Sequence, residues 1–406
     1  MTPAIASNIE LYRWSRFLRS LIFWQAVWFL YFQNVLSATD AILLYAIYDV
    51  ATTLLEVPSG YMSDRLGRRK TLIASAICAL GGAVLLAIGD SFATFALGQV
   101  LIGAGGAFAS GTDEAMLYES LCATGREDEI EAQEVTAWRY SYTALALSAV
   151  TGGVMATLHP VLPFVAGAIA MLGLVWVTLR FVEPPRSLDV AESAEIIRMS
   201  HLRDSFHNPV LLWFFALGVL MYGFSHLPFV FGQPFILEAL DGMDLSASAP
   251  LISGAITALM MGVSIAVSVF ALRLRRVLGL PLLLLSAFGL QIAISGVMAL
   301  TDSAIVLAFL LLRMVPDAVS RPFILGRIQP LLNDDSRATW LSLRSFAGRL
   351  LFASVLAVGA ISTTDAGTMP YTDIRAILSV AALFGISALV ILALWARRIP
   401  IELDTT

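Results

Sequence analysis

Long apolar runs alternate with short polar connections along almost the whole chain. Leu282–Leu300 and Ile377–Ala396 contain no charged residue. A helix needs roughly 20 mostly apolar residues to cross a bilayer, whereas a membrane barrel is written in alternating segments of roughly 10. The runs here are continuous, so the pattern predicts an all-α integral membrane protein. Twelve transmembrane helices are expected. The first six lie at about 17–36, 41–61, 71–89, 94–120, 134–157 and 161–182. The second six lie at about 209–237, 249–272, 281–300, 303–328, 337–361 and 374–396. The polar stretch 183–208 separates them, which predicts an N-terminal six-helix bundle over 1–182, a cytoplasmic linker over 183–208 and a C-terminal six-helix bundle over 209–406.

Composition narrows the class. The 406 residues are 58% hydrophobic and 14% charged, against about 45–50% and 25% in soluble domains, so a water-soluble enzyme and a disordered chain are both excluded. Cys78 and Cys122 offer neither metal-ligand spacing nor a disulfide framework. No basic block points to nucleic acid, no Walker loop points to ATP, and no cofactor is implied. Arginines fall in alternate loops: Arg13, Arg16, Arg19, Arg65, Arg68, Arg69, Arg126, Arg186, Arg273, Arg275, Arg276, Arg337, Arg397 and Arg398 are on one side, while the loops near 37–40, 90–93, 158–160, 238–248 and 301–302 carry no Lys or Arg. By the positive-inside rule both termini are cytoplasmic. The N-terminal run is too long for a secretory signal and reads as span 1, which fits a plasma membrane such as the bacterial inner membrane.

The connection after span 2 reads Gly60-Tyr-Met-Ser-Asp64-Arg65-Leu-Gly67-Arg68-Arg69-Lys70. Glycines permit close approach and a tight turn, and the Asp64 carboxylate suits an Arg or a helix N-terminus. The arginines suit acidic helix ends or lipid phosphates. This run resembles the signature G-x-x-x-D-R-x-G-R-[RK] of the major facilitator superfamily, at the position that family uses. The resemblance covers the whole chain and implies two pseudo-symmetric six-helix bundles that alternate between inward- and outward-open states. It makes Gly60, Asp64, Arg65, Gly67, Arg68 and Arg69 a gating motif, with Asp64 reaching the start of span 11 near Ser336; a positive-inside anchor is the plainer alternative. The matching loop of the second half, Arg273 to Gly279, keeps the charge and lacks the acid. In span 4 the family's arginine falls at Gln99, and in span 5 the exporter pattern G-P-x-x-G-G is represented by Ser148 to Gly153.

Ionisable residues at membrane depth are costly and therefore informative. Asp49 and Glu56 share a face of span 2, Asp113 and Glu114 lie toward the inner end of span 4, and Arg139 in span 5 is available to either. Asp49, Asp113 and Glu114 are the candidates for proton coupling, Asp49 ranking first because its span carries no basic residue. For the span-4 pair a structural ion pair is the alternative. Arg313, Asp317 and Arg321 recur at helical spacing in span 10, which suits either an anionic substrate or self-neutralisation. Gln25, Trp28 and Phe32 in span 1, with Tyr222, His226, Phe229 and Gln233 in span 7, complete the candidate substrate cavity; helix packing is the alternative for the aromatic residues.

Together these features predict a secondary active transporter, not an enzyme, that moves a small organic compound by alternating access through proton-coupled export. Its partners are the substrate, protons and membrane lipids, and a monomer is expected. The alternatives are an ion-coupled importer or uniporter of an anionic molecule, and a non-transporting scaffold or lipid scramblase.

Overall fold

The computed structural model describes every residue except 1, 26, 34, 37, 186–194, 242–248, 302–304, 335, 362–370 and 403–406. Sixteen α-helices and no strands occur among the described residues. In chain order they are α1 Thr2–Arg19, α2 Trp28–Gln33, α3 Ala38–Leu66, α4 Arg68–Ile88, α5 Phe92–Ala109, α6 Thr112–Cys122, α7 Ile130–Leu158 and α8 Leu162–Arg180, followed by α9 Glu195–Ser205, α10 Pro209–Asp241, α11 Ala249–Leu278, α12 Leu280–Leu300, α13 Ile305–Leu310, α14 Val315–Ile328, α15 Arg337–Ile361 and α16 Tyr371–Ala396.

Eight helical segments among the described residues are long and apolar enough to cross a membrane. They coincide with the expected spans 3 to 9 and 12. The other four lie partly outside the described residues and side chains. Span 1 is interrupted between Arg19 and Trp28, and its first helix begins at Thr2 rather than near residue 17. Span 10 is interrupted between Leu310 and Val315. Spans 2 and 11 form the long helices α3 and α15, which carry ionisable residues along their length: Asp49, Glu56 and Asp64 in one, Arg344 and Arg349 in the other. Span 4 also breaks, at Ser110–Gly111, between α5 and α6.

Apolar side chains point both inward and outward, as a bilayer allows. Leu97, Leu158, Ile169, Val277, Leu300, Val380 and Leu383 are exposed, a surface that would aggregate in water. Inward packing relies on small residues where helices run close: Ala76, Ala79 and Ala83 of α4 meet Ala170, Met171 and Leu174 of α8.

The chain divides into two compact units. The first comprises residues 1–204, 250–261 and 329–343, and the second 205–249, 262–328 and 344–406. Helix α15 is thus divided: its start, up to Leu343, belongs to the first unit, and the rest to the second.

Candidate functional site

Within the first unit the signature run builds a closed charge network. Gly67 ends α3 with φ 112°, a left-handed value that a side chain resists. A Cβ there would also lie 2.8 Å from the Glu183 carboxylate. That carboxylate accepts the backbone N–H of Arg68 at 2.7 Å and of Arg69 at 2.8 Å, satisfying two of the unpaired donors at the start of α4. The turn re-aims the chain so that Arg68, wholly buried, reaches back to Asp64 four residues earlier.

Asp64 is 2% exposed. Its Oδ1 accepts the Ala338 N–H at 3.1 Å, and its Oδ2 accepts the Thr339 N–H at 2.8 Å and the Thr339 hydroxyl at 2.6 Å. A carboxylate at the first turn of α15 meets both unpaired N–H donors and the positive end of the helix dipole. Gly60 makes this approach possible: a Cβ there would lie 2.7 Å from Ser342 Oγ and 2.8 Å from the Ala338 carbonyl.

Arg68 also donates to Glu119 Oε1 from Nε at 3.0 Å and from Nη2 at 2.7 Å, and to the Asp334 carbonyl at 2.9 Å. Arg337, 3% exposed, donates to the same Glu119 oxygen at 3.1 Å, pairs with Asp334 Oδ1 at 2.7 Å, and lies 4.8 Å from the centre of the Tyr118 ring. Two guanidinium groups therefore share three carboxylates. Removing either guanidinium would leave the buried Asp64 or Glu119 carboxylate short of a cation, which is costly at such depth.

Not every member of the motif joins. Arg65 is exposed and donates to the Tyr61 hydroxyl at 3.2 Å, and Arg69 turns toward α8, donating to the Leu179 carbonyl at 2.9 Å.

A second polar cluster gathers α1, α6 and α7. Arg16 Nη1 pairs with Asp113 Oδ2 at 3.2 Å and its guanidinium lies 4.5 Å from the centre of the Trp138 ring. The Tyr12 hydroxyl donates to Glu134 Oε1 at 3.1 Å, and Arg13 donates to Gln133 at 2.6 Å. The described partner of Asp113 is thus Arg16, from the last turn of α1, a stretch that the hydropathy pattern assigns to the region before span 1. Glu114 stands beside Asp113, whose Oδ1 accepts the Glu114 N–H at 2.9 Å. Asp49 is half-buried in α3, and Glu56, two turns on, is buried and accepts the Ser110 hydroxyl at the break of span 4.

The sequence profile of the Major Facilitator Superfamily matches residues 14–355. The chain belongs to the major facilitator superfamily. It is therefore a membrane transporter and not an enzyme. Solved structures agree in fold. A bacterial homologue of the iron transporter ferroportin, in its outward-facing state, superposes with TM-score 0.72 at 17% identity, covering 97% of this chain and all of that one. The same homologue with soaked iron gives 0.69 at 15% identity, covering 96% and 98%. The human organic anion transporter MFSD10 (TETRAN) gives 0.71 at 13% identity, covering 97% and 99%. At these identities the likeness is one of fold. No curated protein matches the chain in sequence.

In this transporter the remaining candidates distribute as follows. Gln25 sits in the break of span 1 and donates to the Leu145 carbonyl at 3.0 Å, tying the break to α7. Trp28 meets Phe32 at a centroid distance of 6.2 Å, and Phe32 is wholly buried among Tyr31, Phe95 and Phe164. In the second unit His226 stacks on Tyr222 at 4.2 Å and meets Phe352 at 5.1 Å. Asp317, 7% exposed, pairs with Arg321 at 3.2 Å, and Arg313 lies in the interruption between α13 and α14. Phe229 and Gln233 belong to α10, but their side chains lie outside the described residues.

The hydropathy pattern passed over five participants: Tyr12, Glu134, Glu183, Arg337 as a network member, and Arg349, whose guanidinium lies 5.6 Å from the centre of the Tyr222 ring. Arg349 was detectable by the embedded-charge criterion that singled out Arg313. Glu183 was not, because a carboxylate just beyond a span reads as ordinary loop polarity.

Proposed function

We propose that this protein moves a small organic compound across the membrane by alternating access, driven by proton exchange, in the direction of export. The observation that carries the alternating-access part is the seating of Asp64 on the first turn of α15, backed by the Arg68–Glu119–Arg337 network. These contacts join residues 60–68 and 119 to residues 334–342, far apart in sequence, at the arginine-rich ends of their spans. Such a fastening is made in one state and broken in the other. With the arginine-rich side taken as cytoplasmic, its closure corresponds to an outward-facing state, the state named for the ferroportin homologue.

Interruptions in spans 1, 4 and 10 support a transport path, since irregular backbone at membrane depth is tolerated where it lines a cavity or is buried in protein. Embedded carboxylates at Asp49, Asp113 and Glu114 support proton coupling.

Arg313 in the span-10 interruption favours a second reading, transport of an organic anion. A guanidinium within a membrane span suits a carboxylate or phosphate, and MFSD10 is an organic anion transporter of the same fold.

Reconstituted protein under an imposed pH gradient, assayed over a panel of cationic, neutral and anionic compounds, tests both. Uphill movement of a cationic or neutral compound against an inward proton gradient supports the first reading. Gradient-independent exchange of anions, lost in Arg313→Gln, supports the second. No movement of any compound overturns both.

A further inference from the structure

Glu134 is a buried acid with no role in the fastening described above. It is wholly buried in the second turn of α7. Its Oε1 accepts one hydrogen bond, from the Tyr12 hydroxyl at 3.1 Å, and its Oε2 has no hydrogen-bond partner among the described residues. The titratable and charged groups that face it are Tyr12 and Arg16 of α1 and Asp113 and Glu114 of α6. Arg16, the one cation among these, is bonded to Asp113. An ionised carboxylate in that position would leave one oxygen desolvated and undonated beside two further acids, which is strongly unfavourable. A protonated carboxyl carries no charge, so only the smaller cost of an unpaired buried hydroxyl remains.

We infer that Glu134 is a proton-binding site of the transporter, and that its proton decides whether Arg16 pairs with Asp113 or with Glu134. With the proton bound to Oε2, Arg16 stays on Asp113, as observed. When that proton leaves to water, the carboxylate competes for the same guanidinium, which lies within electrostatic reach of both acids. Asp113 is the second residue of α6, directly after the break in span 4, so losing Arg16 unties the segment that α6 anchors. Glu134 is sealed from solvent by its neighbours, so its proton exchanges only when α1, α6 or α7 shift. Protonation and conformation are thereby linked in both directions. The part this plays in transport rests on the proton-coupled reading above; the proton site itself does not.

The native reporter is Trp138, whose ring lies beneath the Arg16 guanidinium at 4.5 Å. The full-length protein is titrated with buffer alone, and the Trp138 contribution to fluorescence is taken as the difference between the wild type and Trp138→Phe. The wild type should show one sigmoidal transition, and Glu134→Gln should abolish it. Asp113→Asn frees Arg16 for Glu134, stabilises its anion and should lower the midpoint by about one pH unit or more. A purely structural role for Glu134 would leave the midpoint indifferent to Asp113. If Glu134→Gln does not fold, Glu134→Asp serves instead: it keeps the acid, changes its reach to Tyr12, and should move the midpoint rather than remove the transition. No transition in the wild type, an unchanged one in Glu134→Gln, or an unmoved midpoint in Asp113→Asn overturns the inference. Transport is read separately. A titrating Glu134 in a protein that ignores pH gradients sinks the proton-coupled reading and spares the site, whereas pH-driven transport undiminished in a non-titrating protein does the reverse.

Discussion

Asp64 shows how much a single carboxylate can hold. It accepts two backbone N–H groups and one hydroxyl from the start of α15, and a guanidinium from its own signature run. Asn is nearly its size, but one of its two acceptor oxygens becomes an NH2 group facing donors. Asp64→Asn should weaken the fastened state by about 1.5–3 kcal/mol, the range for hydrogen bonds to a charged group. The measurement is the maleimide labelling rate of a single cysteine at Ser342, which should rise; a wild-type rate would remove Asp64 from the gate. Gly60 acts by absence of a side chain. Gly60→Val places methyl groups where Ser342 Oγ and the Ala338 carbonyl now stand, and should raise the same labelling rate with the charges left intact. The two substitutions separate electrostatics from close approach.

At the scale of elements, the same capping device occurs once in each half. Gly67, at φ 112°, precedes α4, whose first N–H groups are accepted by Glu183, just after α8. Gly279, at φ 72°, precedes α12, whose Leu280 N–H is accepted at 3.1 Å by Glu402, six residues after α16. Glu402 thus takes the place that Glu183 has in the first half, while the second-half loop keeps no counterpart of Asp64. Glu402 also takes Arg275 Nη1 at 2.5 Å. Partial burial raises its pKa, but the Arg275 and Leu280 bonds outweigh that, and the net shift is downward. A lowered folded pKa means that its stabilisation is present above the ordinary carboxylate range and is lost as the pH falls through the depressed value. About half of the side chain is exposed, so the effect should be local. Glu402→Gln should speed amide exchange at Leu280 and its neighbours at neutral pH. It should also abolish the extra loss of protection that acid causes in the wild type, after correction for intrinsic rates.

For the whole molecule the expectations concern sidedness and coupling. Cys122, exposed at the end of α6, lies at the arginine-rich end with Arg337 and Arg126. Ser91, exposed before α5, lies at the opposite end of its span. In intact cells an impermeant thiol reagent should label Ser91→Cys and spare Cys122, and in inverted vesicles the pattern should reverse. Labelling of both from one side would break the alternation of loops. Asp49→Asn should retain substrate exchange and lose accumulation driven by a pH gradient. Undiminished accumulation would remove Asp49 from the coupling path and leave Glu134 as the acid to test.

Hydrophobicity is a local property, and so the class of protein could be read directly. Apolar runs of about 20 residues admit only helices in a bilayer, and the signature from Gly60 to Lys70 named the family that the profile over residues 14–355 shows. That Asp64 belongs with a later helix start was expected from the resemblance to the family signature; its residue type and spacing alone left an Arg partner equally open. Partner choice at long range was not. Nothing in the chain distinguishes Glu119, which binds Arg68 and Arg337, from Glu114, five residues earlier in the same helix; only the packing of α6 decides which faces the arginines. The same holds for Arg16, which pairs with Asp113 although Arg139 is nearer in sequence. The helix breaks in spans 1, 4 and 10 were not legible, because hydropathy reflects composition, whereas a break depends on which backbone groups find partners elsewhere. Apolar periodicity thus determined that this protein spans the membrane as helices, and the tertiary structure alone decided which buried charges meet, because a charge in low dielectric is governed by its neighbours in space and not by its neighbours in the chain.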